Sequence, residues 1–230
     1  MEIYKNIKIE DLCLLIENET LVVGDLHLGF EESLNKQGIL IPRIQFTEVM
    51  KRLSMLLKKL KPKKVIIVGD VKHEFGTISN QEWNNILKVF KLIKEYSELI
   101  IIKGNHDTIL KPITEKENIN ILNEYWLNDI QFLHGDIIPK KLGKLIIMGH
   151  EHPAIKFKER PTEKFKCFLK GKYKTHELIV MPSFNFISLG SDITKNQLLS
   201  PFLKKADLNN FEVYVIEDKP YYFGKIKDLE

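Results

Sequence analysis

Asp25, His27, Asp70, Asn105, His134, His150 and His152 are side chains that hold metal ions or move protons, and each follows directly on a short apolar run. Leu21-Val22-Val23-Gly24 leads into Asp25-Leu26-His27. Val65-Ile66-Ile67-Val68-Gly69 leads into Asp70-Val71-Lys72-His73. Leu99-Ile100-Ile101-Ile102 leads through Lys103-Gly104 into Asn105-His106-Asp107. Gln131-Phe132-Leu133 leads into His134-Gly135-Asp136, and Leu145-Ile146-Ile147-Met148-Gly149 into His150-Glu151-His152. Six of the seven histidines lie in these five turns, and only His176 lies outside them. Imidazole, carboxylate and amide oxygen are the donors of a divalent metal site without thiolates. Seven candidate ligands are too many for one ion and suit two, if Asp70 bridges them with its two oxygens. Two divalent ions set against two aspartates and a bridging hydroxide leave about one positive charge, which attracts a phosphate ester. Ions about 3.5–4 Å apart clamp an in-line displacement at phosphorus and acidify the water that attacks it. His106 is then spare and is placed to protonate the leaving oxygen.

The elements that must position these turns are legible around them. β-propensive residues followed by glycine and polar side chains read as buried strands that end in tight turns. In an open α/β sheet, chemistry gathers beyond the carboxyl ends of the strands. Ile3 to Ile9, Leu12 to Ile16 and Leu21 to Val23 read as strands, with a hairpin turn at Asn18-Glu19. A helix starts near Leu28 to Glu32 and ends by Gly38. A second helix begins at Pro42, a residue suited to a first turn. Ile44, Phe46, Val49, Met50, Leu53, Leu56, Leu57 and Leu60 follow helical spacing up to Pro62. Ser79 with Glu82 has the pattern of a capping box, opening a helix to about Tyr96 with Trp83, Ile86, Leu87, Phe90 and Ile93 inward. Strand and helix alternate this far, which implies parallel strands.

Beyond Asn105 the runs are short and strand-like: Ile119 to Leu122, Tyr125 to Leu127, Ile130 to Leu133, Leu145 to Met148, Ile155 to Phe157, Phe165 to Leu169 and Leu178 to Met181. Lys170-Gly171-Lys172 reads as an exposed hairpin. Phe211 to Ile216 and Tyr221 to Phe223 end the chain, after an irregular stretch at 190–210. These elements fit an α/β chain of two packed mixed β-sheets flanked by helices, with residues 1–230 as a single domain.

Composition agrees. The chain has 230 residues, 43% apolar and 29% charged, which suits a soluble protein with one sizeable core. No apolar run reaches the roughly 18 residues of a membrane span, and no signal peptide stands at the start, so a cytoplasmic protein without membrane contact is expected. The net charge of +4 permits a polyanionic partner without demanding one. Cys13 and Cys167 have no CxxC spacing, which argues against a thiolate zinc site.

Asp25-x-His27, Gly69-Asp70, Gly104-Asn105-His106-Asp107, His134-Gly135 and Gly149-His150-x-His152 resemble the five motifs of the calcineurin-like metallophosphoesterases, in the family's order. The resemblance implies a four-layer sandwich. It implies one metal on Asp25, His27, Asp70 and His152, another on Asp70, Asn105, His134 and His150, and His106 as catalytic acid and phosphate contact. The phosphatase branch usually carries an aspartate three residues after the bridging one; His73 stands there instead. A histidine there resembles the SbcD-type nuclease subunits, in which it faces the substrate phosphate, and the small SbcD-related and DNA-ligase-associated phosphoesterases look most alike. The implied function is hydrolysis of phosphodiester bonds by attack of metal-bound hydroxide, with nucleic acid among the substrates. Asn105, His106 and His73 would contact the substrate. Mn²⁺ is the expected metal, with Mg²⁺, Fe, Zn²⁺, Ni²⁺ or Co²⁺ as alternatives for nitrogen and oxygen donors. A phosphomonoesterase of a small metabolite or nucleotide is the alternative enzyme, and a metal-containing scaffold for a partner protein the alternative class.

Around this set, Lys72 and Arg43 are candidate phosphate contacts, Glu31 and Glu74 candidate supports, and Asn185 a candidate at the cleft border. Asp107 and Asp136 read as turn-formers rather than ligands. Lys156, Lys158, Arg160, Lys164, Lys166, Lys170, Lys172 and Lys174 form either a solvated hairpin or a track for a phosphate backbone.

Overall fold

The computed structural model describes residues 1–42, 44–158, 160–195 and 197–229; Arg43 lies outside them. The strands are β1 (Glu2–Tyr4), β2 (Ile7–Glu10), β3 (Cys13–Ile16), β4 (Thr20–Val23), β5 (Lys64–Val68), β6 (Glu98–Ile102) and β7 (Asn120–Leu122) in a first sheet. The second sheet holds β8 (Glu124–Leu127), β9 (Ile130–Leu133), β10 (Leu145–Met148), β11 (Pro153–Phe157), β12 (Arg160–Tyr173), β13 (His176–Val180), β14 (Ser191–Asp192), β15 (Glu212–Ile216) and β16 (Pro220–Lys225). The helices are α1 (Phe30–Lys36), α2 (Gln45–Leu60), α3 (Asn80–Lys94) and α4 (Lys111–Lys116).

The first sheet runs in chain order from β1 to β7. Its first four strands pair antiparallel through tight turns, and β4 to β7 pair parallel across helical crossovers. The turn between β3 and β4 is three residues long, Glu17 to Glu19, and its left-handed positions are Glu17 and Asn18, with φ of 51° and 57°, one residue earlier than the sequence expectation. The second sheet runs β14-β11-β12-β13-β10-β9-β8, with β15 against β12 and β16 outside β15. β10 is parallel to both β9 and β13, so β9 and β10 end at the same edge.

Alternation divides the second sheet. Phe132, Ile147, Phe168 and Ile179 are buried in one core with residues of the first sheet and the helices. Leu133, Ile146, Met148, Leu169 and Val180 point the other way, under Phe202, Leu203, Phe211 and Ile226. These four belong to the 190–229 segment, whose 3₁₀ turns cover that face. α2 buries Val49, Leu53, Leu56 and Leu57, at the spacing of one helical face.

Local details depart from the sequence expectations. Ile3 to Ile9 is two strands parted by a turn at Asn6, whose φ is 62°. α2 starts at Gln45, so Pro42 lies before it and Ile44 is exposed. Lys170-Gly171-Lys172 is interior to β12, where the bare Gly171 backbone lies against the Phe211 ring. The strand turns instead at Lys174, whose φ is 55°. α4 carries no apolar repeat long enough to announce it. No helix is long and apolar enough to cross a membrane among the described residues.

Candidate metal centre

Asp25 and His27 follow β4, Asp70 and His73 follow β5, and Asn105 and His106 follow β6. His134 follows β9, and His150 and His152 follow β10. The seven candidate ligands therefore come from strand ends of both sheets, and their donor atoms converge. Asp25, His27 and His152 form one group, and Asp70, His134 and His150 another, each with ligand atoms within 4.8 Å of one another.

In the first group His27 Nε2 lies 3.3 Å from His152 Nε2, and His152 Nε2 lies 3.4 Å from Asp25 Oδ2. In the second, His134 Nε2 lies 2.9 Å from Asn105 Oδ1, 3.1 Å from His150 Nδ1 and 3.4 Å from Asp70 Oδ2. Ligands about 2.1 Å from one ion, at angles between octahedral and tetrahedral, lie about 3.0–3.4 Å apart. Nitrogens turned towards nitrogens at that spacing suit a cation between them. His134 Nδ1 is 3.3 Å from the Val68 carbonyl oxygen. A proton on Nδ1 donated there leaves the Nε2 lone pair for an ion. The donor set and its spacing thus fit divalent metal.

Asp70 joins the groups through one atom. Its Oδ2 is 3.4 Å from His134 Nε2, 3.7 Å from His27 Nε2 and 3.8 Å from His106 Nε2. Its Oδ1 is taken by the backbone N–H of His106 at 2.9 Å. The sequence suggested a bridge through both carboxylate oxygens; the structure turns a single oxygen to both groups.

Backbone strain concentrates here. His27, Asp70, His150 and His152 have φ of 44°, 35°, 64° and 49°, the left-handed region that side chains bearing Cβ avoid. Gly69 and Gly104 are needed for close approach: a Cβ on Gly69 would overlap the His134 ring, and one on Gly104 would overlap Asp70 Oδ1.

Burial alone would raise the pKa of Asp25, but the neighbouring His152, His134 and His27 hold it far below the usual carboxylate range. Asp70 is lowered against the same burial cost, chiefly by His134. Burial would also depress His134, yet the hydrogen bond to Asp70 and the charges of Asp25 and Asp70 push it up to about 10. His27 is lowered to about 3 by burial and then by His152. His150 is lowered to about 4 by burial and by His134.

A third group stands beside these: His27, His73 and His106, again with ligand atoms within 4.8 Å. His106 Nδ1 hydrogen-bonds the main-chain carbonyl oxygen of His73. The His73 and His106 rings stack at 5.7 Å between centroids, and Phe75 lies against the His106 ring. Burial, then His106, lowers His73 to about 4.

Several sequence candidates fall elsewhere. Lys72 is fully buried, with no hydrogen-bond partner for its Nζ among the described residues, so it offers no phosphate contact. Glu31 is buried and accepts from the Phe46 N–H at the start of α2. Glu74 pairs with Lys36 and Thr77. Asp107 accepts from the N–H groups of Val71, Lys72 and Gly104, tying the Asp70 turn to the Asn105 turn. Ser79 caps α3 through the Glu82 N–H, but the Glu82 carboxylate accepts from the His73 N–H, so the expected box is half formed. Lys170 and Lys172 pair with Glu212 and Glu177, and the Lys166 ammonium is spent on Ser183 and Asn185, so these lysines form no continuous track.

Three supports escaped the sequence reading. Gln45 donates to the carbonyl oxygens of Leu26 and His27, fixing that turn. Lys166 donates to Ser183 O, Ser183 Oγ and Asn185 O at 2.8, 2.7 and 2.5 Å. Glu82 holds His73 as described. Asn185 is buried and donates to Leu26 O at 3.3 Å, so it borders the site as a brace.

Comparison with known proteins gives two kinds of likeness. A family model described as calcineurin-like phosphoesterase matches residues 19–170. Among solved structures, the Pseudomonas putida nuclease MPE superposes with a TM-score of 0.68 at 18% identity, covering 93% of this chain and 92% of that one. The Escherichia coli phosphoesterase YfcE gives a TM-score of 0.46 at 11% identity, covering 92% and 99%. The likeness to MPE is one of fold. No curated protein shows significant similarity to the sequence.

Proposed function

The chain belongs to the calcineurin-like phosphoesterases, and from that membership we propose that it hydrolyses phosphodiester bonds, those of nucleic acid first, with two divalent ions. Asp25, His27, Asp70 and His152 hold one ion, and Asp70, Asn105, His134 and His150 the other. The donors are imidazole, carboxylate and amide without thiolate, a set that Mn²⁺ shares with Mg²⁺, Fe, Zn²⁺, Ni²⁺ and Co²⁺, and Mn²⁺ is the ion we propose to test first. Such ions supply a water of lowered pKa and positive charge for the phosphoryl oxygens.

The chain's own residues do the rest. Asp70 Oδ2 stands between the two groups and fixes their separation. His106 anchors its Nδ1 on the His73 carbonyl and turns Nε2 towards the centre, 3.8 Å from Asp70 Oδ2. From there Nε2 is placed to give a proton to the leaving oxygen.

The observation that carries the diester reading is how His106 is held. In the phosphatase branch an aspartate side chain at the position of His73 orients the catalytic histidine. Here a main-chain carbonyl orients it, and the His73 ring remains beside His27 and His106 to meet the substrate phosphate. One solved structure of similar fold, that of Pseudomonas putida MPE, belongs to a nuclease, which accords with this substrate class.

The test is hydrolysis of bis-p-nitrophenyl phosphate beside p-nitrophenyl phosphate with Mn²⁺, using Asp70→Ala as the blank. Faster turnover of the diester is expected. Preference for the monoester would overturn the diester reading and leave a phosphomonoesterase.

A further inference from the structure

We propose that Phe75 selects the group carried by the leaving oxygen, and that this group is a nucleobase stacked on the outer face of the Phe75 ring. The inference rests on the phosphodiesterase reading and adds what the site recognises beyond the scissile phosphate.

Four rings follow one another towards the surface. Phe30 is half-buried, and its ring lies 4.4 Å from that of His73 between centroids. His73 lies 5.7 Å from His106, and His106 lies 3.7 Å from Phe75. The last two pairs are 27° and 33° from parallel, so each ring turns a face to the next. Phe75 ends the series. One of its faces lies on His106, yet the residue is 60% exposed. A phenyl ring left in water forgoes the gain of burial, which is the main reason aromatic side chains lie inside.

The chain around Phe75 holds it there. The His73 N–H donates to the Leu28 carbonyl at 3.0 Å and to Glu82 Oε1 at 2.9 Å. Glu74 accepts from Lys36 Nζ at 3.0 Å and from Thr77 Oγ1 at 3.2 Å. The Phe75 carbonyl accepts from the Thr77 N–H at 2.8 Å. The segment is therefore anchored before and after Phe75, and the ring is presented by that anchoring.

His106 fixes what meets that ring. It gives its proton to the leaving oxygen, and Phe75 lies on its face, so the group attached to that oxygen departs beside Phe75. Among the described residues, Phe75 is the exposed aromatic side chain in contact with a residue of the site. The cavity of about 740 Å³ that opens on Asn105 and His134 is lined by Lys103, Lys140 and Ile137 among others, and by no phenylalanine, tyrosine or tryptophan. A purine or pyrimidine stacks through its flat face whatever its hydrogen-bonding edge, so this contact asks for a base without choosing among the four. A leaving group without a ring of that kind, such as a sugar or an alkyl alcohol, gains nothing there.

The test compares dithymidine monophosphate with its two analogues in which one base or the other is replaced by hydrogen, with Mn²⁺, in the native protein, Phe75→Leu and Phe75→Trp. The analogues keep both ester bonds, and the products show which sugar departs without phosphate. In the native protein kcat/KM is expected to fall about tenfold when the base of the departing sugar is missing, and less when the other is. Phe75→Leu should bring that ratio close to one, and Phe75→Trp should hold or raise it. A ring that only props His106 would, when replaced, slow all three substrates by one factor and leave the ratio as it is in the native protein. That result, or a sensitive base on the sugar that keeps the phosphate, would overturn the proposal. Hydrolysis of bis-p-nitrophenyl phosphate without any such ratio removes the base contact and keeps the phosphodiesterase. Turnover of p-nitrophenyl phosphate alone overturns the diester reading itself, and the proposal with it.

Discussion

His106 is the residue on which the proposed chemistry turns, and its contacts separate two roles. Its backbone N–H holds Asp70 Oδ1, while its ring faces the centre through Nε2. His106→Ala keeps the backbone contact and removes only the ring. It should therefore retain both ions by elemental analysis while diester turnover falls by roughly 10²-fold or more. Loss of the ions instead would make His106 a ligand or a structural support. His134 yields a second prediction. In the metal-free chain its pKa stands near 10, above the ordinary histidine value of about 6.5. Its charged form thus stabilises the metal-free fold fully below about pH 6.5, and that contribution is lost as the pH rises through about 10. An ion needs the lone pair, so binding at pH 7 must expel the His134 proton. Metal affinity should rise with pH, and the heat of Mn²⁺ binding should change between buffers of different ionisation enthalpy by about one proton. A heat independent of buffer would contradict the assignment of His134.

At the scale of elements, five strands end in turns that interlock. Gly104 yields its Cβ space to Asp70, and Asp107 binds N–H groups of both turns. Gly104→Ala should push Asp70 Oδ2 out of its position between the groups. The variant is expected to stay folded by circular dichroism yet bind less than two equivalents of Mn²⁺; full loading would show that the turn gives way without moving Asp70. These turns were legible in the sequence because ligand types sat at fixed spacing after apolar runs, as at Asp25-Leu26-His27. Their braces were not. Gln45, Glu82 and Lys166 reach backbone groups of residues distant in sequence, and a backbone carbonyl or N–H has no residue type to read. Ser79 and Glu82 had the spacing of a reciprocal cap, but tertiary structure spent the Glu82 carboxylate on His73. Lys72 looked like a phosphate contact only because burial is invisible along the chain.

The whole molecule is two sheets whose strand ends meet at one centre. Asp25, Asp70 and Asn105 come from the first sheet, and His134, His150 and His152 from the second. The packed α/β sandwich could be read from the strand count and the βαβαβ start, whereas the strand order β14-β11-β12-β13-β10-β9-β8 could not, since pairing of short strands leaves little trace in composition. An ion held by ligands from both sheets staples them, so chelation should lower the melting temperature by mass action. The central claim is that these ligands form a dinuclear phosphodiesterase centre. The measurement that tests it most directly is titration of the metal-free protein with Mn²⁺ while bis-p-nitrophenyl phosphate hydrolysis is followed. Turnover should appear and level off at two equivalents per chain, and stay absent in Asp70→Ala; saturation at one equivalent, or no turnover at any loading, would contradict it.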